Sequence, residues 1–297
     1  MSANSARQVV HYVTLASDRT PGLERYLETL GSFGVTPHVV WTGSPYPGHL
    51  AAMRLLKDHL ETRPAEEIVV YTDAYDVVMI RDPADLVARY RAFGAPIVFS
   101  TEPGFTYKLP GRYRASRRYP PAGGRSGMYR FLNSGGYIGT AGALTAMLGA
   151  LRYEGAPDCD QTLINRWFMD HAAAALDYDQ TIFASSACQV GLERRLYRVE
   201  DGRLVHTRTG AAPVFFHFPA ENRIASARIL DMLPGAFKRL PPRPGERWRF
   251  FKNMLETRLP YLLDRPAYPL EDLVGLLLFR ALPATVAVGA AVAIWPF

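Results

Sequence analysis

The sequence predicts an α/β fold, with a mostly parallel central sheet flanked by helices and a helical C-terminal extension. Three observations predict it. Between residues 9 and 100, short β-branched or aromatic runs alternate with segments of helical spacing. The chain has 297 residues, 48% hydrophobic and 21% charged, which is enough apolar material for a large core and too little charge for disorder. Finally, the apolar run Val69-Val70-Tyr71-Thr72 ends in Asp73 and Asp76. Polar groups of this kind gather beyond the carboxyl ends of parallel strands.

Val9 to Leu15 reads as the first strand. Gly22 to Leu30 has helical spacing (Leu23, Tyr26, Leu27, Leu30), with Thr20-Pro21 as cap and first turn. Pro37 to Trp41 is the second strand, and Ala51 to Leu60 a helix with Met53, Leu56 and Leu60 on one side. Ile68 to Tyr71 is the third strand. Asp82-Pro83 opens a helix through Leu86, Tyr90 and Phe93, and Ile97 to Ser100 is the fourth strand. Glu102 to Arg130 is a long irregular segment rich in Gly, Pro, Tyr and Arg, of the kind that is usually functional or disordered. Helices follow at Ala141 to Leu151 and Thr162 to Met169.

Several short segments carry chemistry, and each has a plainer reading beside it. Two carboxylates at the end of a buried strand cost desolvation energy unless a cation or hydrogen bonds compensate. Asp73 and Asp76 suit a divalent metal on a diphosphate, or else cap the turn that follows. Their place at a sheet edge favours the metal. In Leu132-Asn133-Ser134-Gly135-Gly136-Tyr137-Ile138-Gly139 the paired glycines allow close approach to a ligand or positive φ, or form a simple turn between strands. Asp158-Cys159-Asp160-Gln161 heads a helix, where carboxylates interact favourably with the helix dipole. His217, in the apolar run Val214 to Phe218, reads as a core histidine or as a ligand. No GxGxxG or P-loop pattern follows the first strand, which weakens dinucleotide and NTPase readings.

The formal charge of +6 is concentrated at Arg112, Arg114, Arg117, Arg118, Arg125 and Arg130, and at Arg243, Arg247, Arg249 and Lys252. The first group reads as a solvated loop face. No nucleic-acid-binding motif is present, so no nucleic acid is expected as a partner. Two cysteines, Cys159 and Cys188, exclude a disulfide scaffold and a CxxC metal site and fit a reducing compartment. Met1 to Gln8 is short and polar, without a secretory pattern, so a cytoplasmic location is expected. The basic aromatic segment Arg243 to Arg258 and the apolar tail Leu273 to Phe297 suit peripheral membrane contact. They equally suit a helical hairpin packed on the domain or across a homodimer.

In this order, Thr72-Asp73-Ala74-Tyr75-Asp76, Phe99-Ser100-Thr101-Glu102, Phe131 to Gly139, Asp158 to Gln161 and His217 resemble the glycosyltransferase domain of procollagen lysyl hydroxylases and related collagen-type glucosyl- and galactosyltransferases. The resemblance covers roughly residues 8 to 223, read as one domain over 1–223 with a separate extension over 224–297. It implies a GT-A fold, a UDP-sugar donor (glucose or galactose) and Mn²⁺, with Mg²⁺ as the alternative ion. It further implies that Asp73, Asp76 and His217 bind the metal and that Tyr75 stacks near the uridine. Thr14 is placed just after the first strand in the uridine pocket. Asn133, Ser134 and Gly135 line the sugar diphosphate, and Asp158, Asp160 and Gln161 face the transferred sugar. Asp160 is the first choice for the catalytic carboxylate and Asp158 the second. The acceptor is a hydroxyl on a peptide, glycan or lipid-linked group.

This sequence departs from the family pattern in places. Cys159 interrupts the acidic helix start. The family's phosphate lysine falls at Ala52, leaving Arg54, Lys57 or a loop arginine to substitute. The histidine is followed by Phe218-Pro219-Ala220-Glu221-Asn222 instead of Asn-Gly. A nucleotidyltransferase, and a non-catalytic sugar-nucleotide-binding module, are the alternative functions.

Overall fold

The computed structural model describes residues 10–109, 112–171, 173–186, 193–233, 237, 239–248 and 250. In chain order the first elements are β1 (Val10–Ala16), α1 (Pro21–Gly31), β2 (His38–Trp41), α2 (His49–Glu61), β3 (Ile68–Thr72), β4 (Val77–Met79), α3 (Leu86–Ala92), β5 (Ile97–Glu102) and α4 (Arg112–Ser116). There follow β6 (Phe131–Thr140), α5 (Ala141–Ala150), α6 (Asp160–Asp170), β7 (Ala174–Leu176), β8 (Phe183–Ser185), α7 (Glu193–Leu196), β9 (Tyr197–Glu200), β10 (Arg203–His206), β11 (Phe215–His217) and α8 (Arg223–Leu230).

α1, α2, α5 and α6 form where the apolar spacing predicts them, whereas α3 begins at Leu86 and not at Asp82-Pro83, and α4 lies within the segment read as irregular. Thr20 Oγ1 accepts the Leu23 amide at 3.3 Å, Pro21 opens α1, and the helix buries Leu23, Tyr26 and Leu30. α2 buries Ala52, Met53, Leu56 and Leu60.

Six strands make the central sheet in the order β2-β1-β3-β6-β5-β7. β1 pairs in parallel with β2 and β3, and β5 with β7. β6 runs antiparallel between β3 and β5, and is the one reversed strand of this mostly parallel sheet. The Asn133–Gly136 segment is therefore strand, not a turn, and all of β6 except Thr140 is buried. Its pairing with β5 jumps from Phe99↔Tyr137 to Ser100↔Asn133, so Ser134, Gly135 and Gly136 bulge from that edge. A bulge re-aims side chains, and this one lies at the sheet's carboxyl edge beside Asp73.

A smaller sheet, β4-β11-β8, sets His217 directly opposite Val77, one residue from Asp76. Core side chains fill both faces of the main sheet. Met53, Leu56, Leu144, Leu148 and Leu163 belong to one cluster, and Leu23, Tyr26, Leu30, Tyr90 and Phe215 to the other. A third cluster joins Val78, Phe216 and Phe218 to Ile229, Leu230 and Phe250, so α8 and Phe250 share a core with β4 and β11. The apolar tail over 273–297, and most of the helix expected over 243–258, lie outside the described residues. Among the described residues no helix is long and apolar enough to cross a membrane.

Candidate metal and sugar-nucleotide site

The site grows from the end of β3. The Asp73 amide donates to the Gly135 carbonyl at 3.1 Å, tying the acidic turn to β6. The Phe218 amide donates to the Asp76 carbonyl at 2.7 Å, tying the same turn to β11. These two ties bring Asp73, Asp76 and His217 together, with one ligand atom from each within 4.8 Å of the others. His217 Nε2 lies 3.6 Å from Asp73 Oδ2 and 3.4 Å from Asp76 Oδ1.

A buried hydrogen-bonded chain stands behind the imidazole. His217 Nδ1 lies 2.9 Å from Asn133 Oδ1, which also accepts the Gly135 amide at 3.0 Å. Asn133 Nδ2 donates to Glu102 Oε2 at 2.8 Å. An amide oxygen can only accept, so Nδ1 carries a proton and Nε2 is the atom aimed at the carboxylates. That Nε2 is buried and has no hydrogen-bond partner. Burial alone would lower the histidine's pKa, but the Asp76 and Asp73 charges outweigh it and raise it to about 9. Burial and the neighbouring Asp76 charge push the Asp73 carboxyl up to about 7. The charged imidazole thus holds the two carboxylates together, and a divalent cation would take the place of its Nε2 proton between the same three groups. Two carboxylates and one tautomer-fixed imidazole fit such an ion chemically.

Gly135 has no room for a side chain. A Cβ there would lie 2.2 Å from His217 Cε1 and 2.9 Å from Asp73 Oδ2. At Gly136 it would lie 2.8 Å from the Phe183 ring. Close approach, rather than positive φ, is what these glycines provide.

The remaining residues singled out in the sequence take distinct places. Thr14 lies within β1, not beyond it; it is fully buried, and its hydroxyl donates to the Thr72 carbonyl at 2.7 Å. It supports the acidic turn from beneath. The residues that do follow β1 are Ser17 and Asp18, whose amides donate to the Tyr75 hydroxyl at 2.8 and 3.2 Å. Asn133 lies behind His217, its amide group spent on Glu102, His217 and Gly135. Ser134 donates to Gln161 Oε1 at 3.4 Å, and Gln161 Nε2 donates to Glu102 Oε1 at 2.6 Å. Asp158 Oδ1 accepts the Leu50 amide at 3.0 Å, so this acid caps α2, a helix distant in sequence. Asp160 opens α6, and its Oδ1 lies 3.7 Å from His49 Nδ1, which is 3.2 Å from the Tyr46 hydroxyl. Of the phosphate cations considered, Arg54 lies over the Tyr153 ring and Lys57 pairs with Glu61. Asn222 caps α8 through the Ala225 amide.

Sequence reasoning assigned no role to Glu102, His49 or Tyr46. Glu102 is 3% exposed, and burial raises its carboxyl despite donors from Asn133, Gln161 and Thr106. The signal for it was present: like Asp73, it is an acid at the end of a buried strand.

The Asp-Asp-His group sits at the carboxyl edge of a mostly parallel sheet, and the family match makes this a glycosyltransferase domain. The chain belongs to the PLOD GT domain family, whose model matches residues 6–238. Procollagen-lysine,2-oxoglutarate 5-dioxygenase 1 of Bos taurus is 33% identical over 167 residues, covering 53% of this chain and 22% of its own length. The multifunctional procollagen lysine hydroxylase and glycosyltransferase LH3 of Homo sapiens is 28% identical over 168 residues, covering 53% and 22%. The chain thus spans less than a quarter of the length of these relatives. Among solved structures, the galactosyltransferase LgtC in complex with donor and acceptor sugar analogs aligns with 80% of this chain and 99% of its own, at 13% identity and a TM-score of 0.46.

Proposed function

We propose that the chain transfers a hexose, glucose or galactose, from a UDP-sugar to an acceptor hydroxyl, with Mn²⁺ held by Asp73, Asp76 and His217. The observation that carries the reading is the buried His217 Nε2, 3.4 and 3.6 Å from two carboxylates at a sheet's carboxyl edge. When bound, the ion supplies Lewis-acid neutralisation of the charge that develops on the departing diphosphate. A nitrogen ligand in the set favours Mn²⁺ over Mg²⁺.

The chain's own residues do the rest. With the ion bound, Asn133 and Glu102 would keep the His217 proton on Nδ1 and leave the Nε2 lone pair to the ion. Tyr75, anchored to the β1–α1 loop, offers a ring beside the acidic turn for the uracil. The Ser134–Gln161 pair forms the wall next to the diphosphate. Asp160, at the first turn of α6 and beside His49, stabilises the positive charge that develops at the anomeric carbon. Asp158 positions α2, which carries His49.

The test is UDP release from a panel of UDP-sugars with Mn²⁺, Mg²⁺ or EDTA, beside Asp76→Ala and His217→Ala. Mn²⁺-dependent release from one donor, lost in both variants, is expected. Release that persists in EDTA, or survives both substitutions, would sink the metal assignment. Where no acceptor-free release occurs, stabilisation against heat by UDP with Mn²⁺, absent in both variants, reads the same site.

A further inference from the structure

The loop that follows His217 departs from ordinary backbone. Ala220 and Glu221 both have positive φ, at 61° and 52°, a region that residues with side chains disfavour. Two adjacent residues persist there only when their surroundings hold them. Here the loop reaches the metal group directly, because the Glu221 amide donates to Asp76 Oδ2 at 3.2 Å.

The holding groups come from the chain beyond β11. The Glu221 carboxylate is 10% exposed and pairs with the guanidinium groups of Arg223, at 3.0 Å, and Arg243. Glu246 in turn accepts the Arg223 amide through one oxygen and the Arg243 amide, at 2.7 Å, through the other. Arg223 also donates to the Pro241 carbonyl at 2.9 Å. On its other side the Glu221 carboxylate lies close enough to Gly22 that a Cβ there would come within 3.1 Å of it. The loop is therefore clamped between the start of α1 and the segment over 241–246.

We propose that this segment is a strap that holds Asp76 in ligating position, with Arg243 and Glu221 as positioning residues. The inference rests on the metal reading above and adds that the ion's affinity depends on residues that never touch it. Arg243 holds the Glu221 side chain, Glu221 thereby keeps its backbone in the left-handed region, and its amide fixes the Asp76 oxygen. Without the guanidinium, residues 220 and 221 relax toward negative φ and the donor to Asp76 is lost. Outer-shell partners of metal ligands typically change affinity by about 10–100-fold. Arg243 acts one contact further out, so about tenfold is expected. Its side chain is 49% exposed, so its removal opens no core cavity.

The experiment titrates Mn²⁺ into the full chain, following the electron-spin resonance signal of the free ion, for wild type, Arg243→Ala, Arg243→Lys and Glu221→Gln. Hydrogen exchange over 218–222 is measured on the same metal-free samples. Arg243→Ala is expected to weaken Mn²⁺ binding about tenfold and to speed exchange over 218–222, with Arg243→Lys recovering most of both. Glu221→Gln, which keeps the shape, is expected to follow Arg243→Ala and serves in its place if that variant fails to fold. Mn²⁺ affinity in Arg243→Ala within about twofold of wild type overturns the proposal, as does a loss that lysine does not recover. A wild-type chain that binds no Mn²⁺ overturns the metal reading instead. The strap then stands or falls on whether Arg243→Ala speeds the exchange.

Discussion

At the residue scale, the site is built from exclusions as much as from contacts. Gly135 is the clearest case, since the space its Cβ would occupy is already filled by His217 and Asp73. Gly135→Ala should push the imidazole aside, costing about 1–3 kcal/mol of stability by overpacking. It should also weaken Mn²⁺ binding by at least about tenfold, through the lost alignment of Nε2. Calorimetric Mn²⁺ titration beside urea unfolding checks both, and an unchanged affinity would mean that the histidine is not a ligand. The need for a small residue here was visible in the Gly135-Gly136 pair. The reason for it was not, because His217 is 82 residues away in the chain and arrives through pairing of β11 with β4. Asn133 shows the same limit. Its short polar side chain was legible, and its task of holding the histidine's tautomer was not.

At the element scale, the two acids at the head of α6 part company. Asp158→Ala should cost about 1 kcal/mol, because the α2 amide of Leu50 loses its acceptor. It should leave donor turnover within a few-fold of wild type. Asp160→Asn should instead cut turnover by about a hundredfold or more with little change in stability. Steady-state rates with thermal unfolding of the two variants separate the roles, and equal losses of turnover would overturn the division. The β9–β10 hairpin carries a second expectation. His206 is fully buried, with Nδ1 accepting the Arg208 and Thr209 amides at 3.3 and 3.2 Å. Burial, assisted by the Arg208 charge, lowers its pKa to about 4. A histidine depressed in the folded state contributes stability that is complete above its ordinary value near 6.5 and is lost as pH falls toward 4. The loss approaches roughly 3 kcal/mol at the bottom of that window. Urea midpoints at pH 7 and pH 4 should fall more steeply for wild type than for His206→Gln.

At the scale of the whole molecule, the question is where the folding unit ends. A boundary after residue 223 would leave Asn222 without the helix it caps. It would also strip Ile229, Leu230 and Phe250 from the cluster that covers Val78, Phe216 and Phe218. Those residues flank Asp76 and His217 on both strands. A chain ending at 222 should therefore expose this apolar face and lose cooperative unfolding, whereas one ending at 250 should keep it. Calorimetry of the two truncations decides between them, and a cooperative transition in the shorter chain would support an independent extension.

The sequence by itself determined the alternation of strands and helices, the apolar face of each, the acidic end of β3 and the order of motifs that marks the family. All of these are local: side-chain period, cap chemistry and composition act within a few residues and can be read there. Tertiary structure decided that β6 runs backwards between β3 and β5, that Asn133 and Glu102 stand behind His217, that Asp158 caps α2, and that the Thr14 hydroxyl is bonded to the Thr72 carbonyl. Each of these depends on which distant segments pair. That choice is made by the joint burial of clusters drawn from the whole chain, which no single stretch of sequence contains.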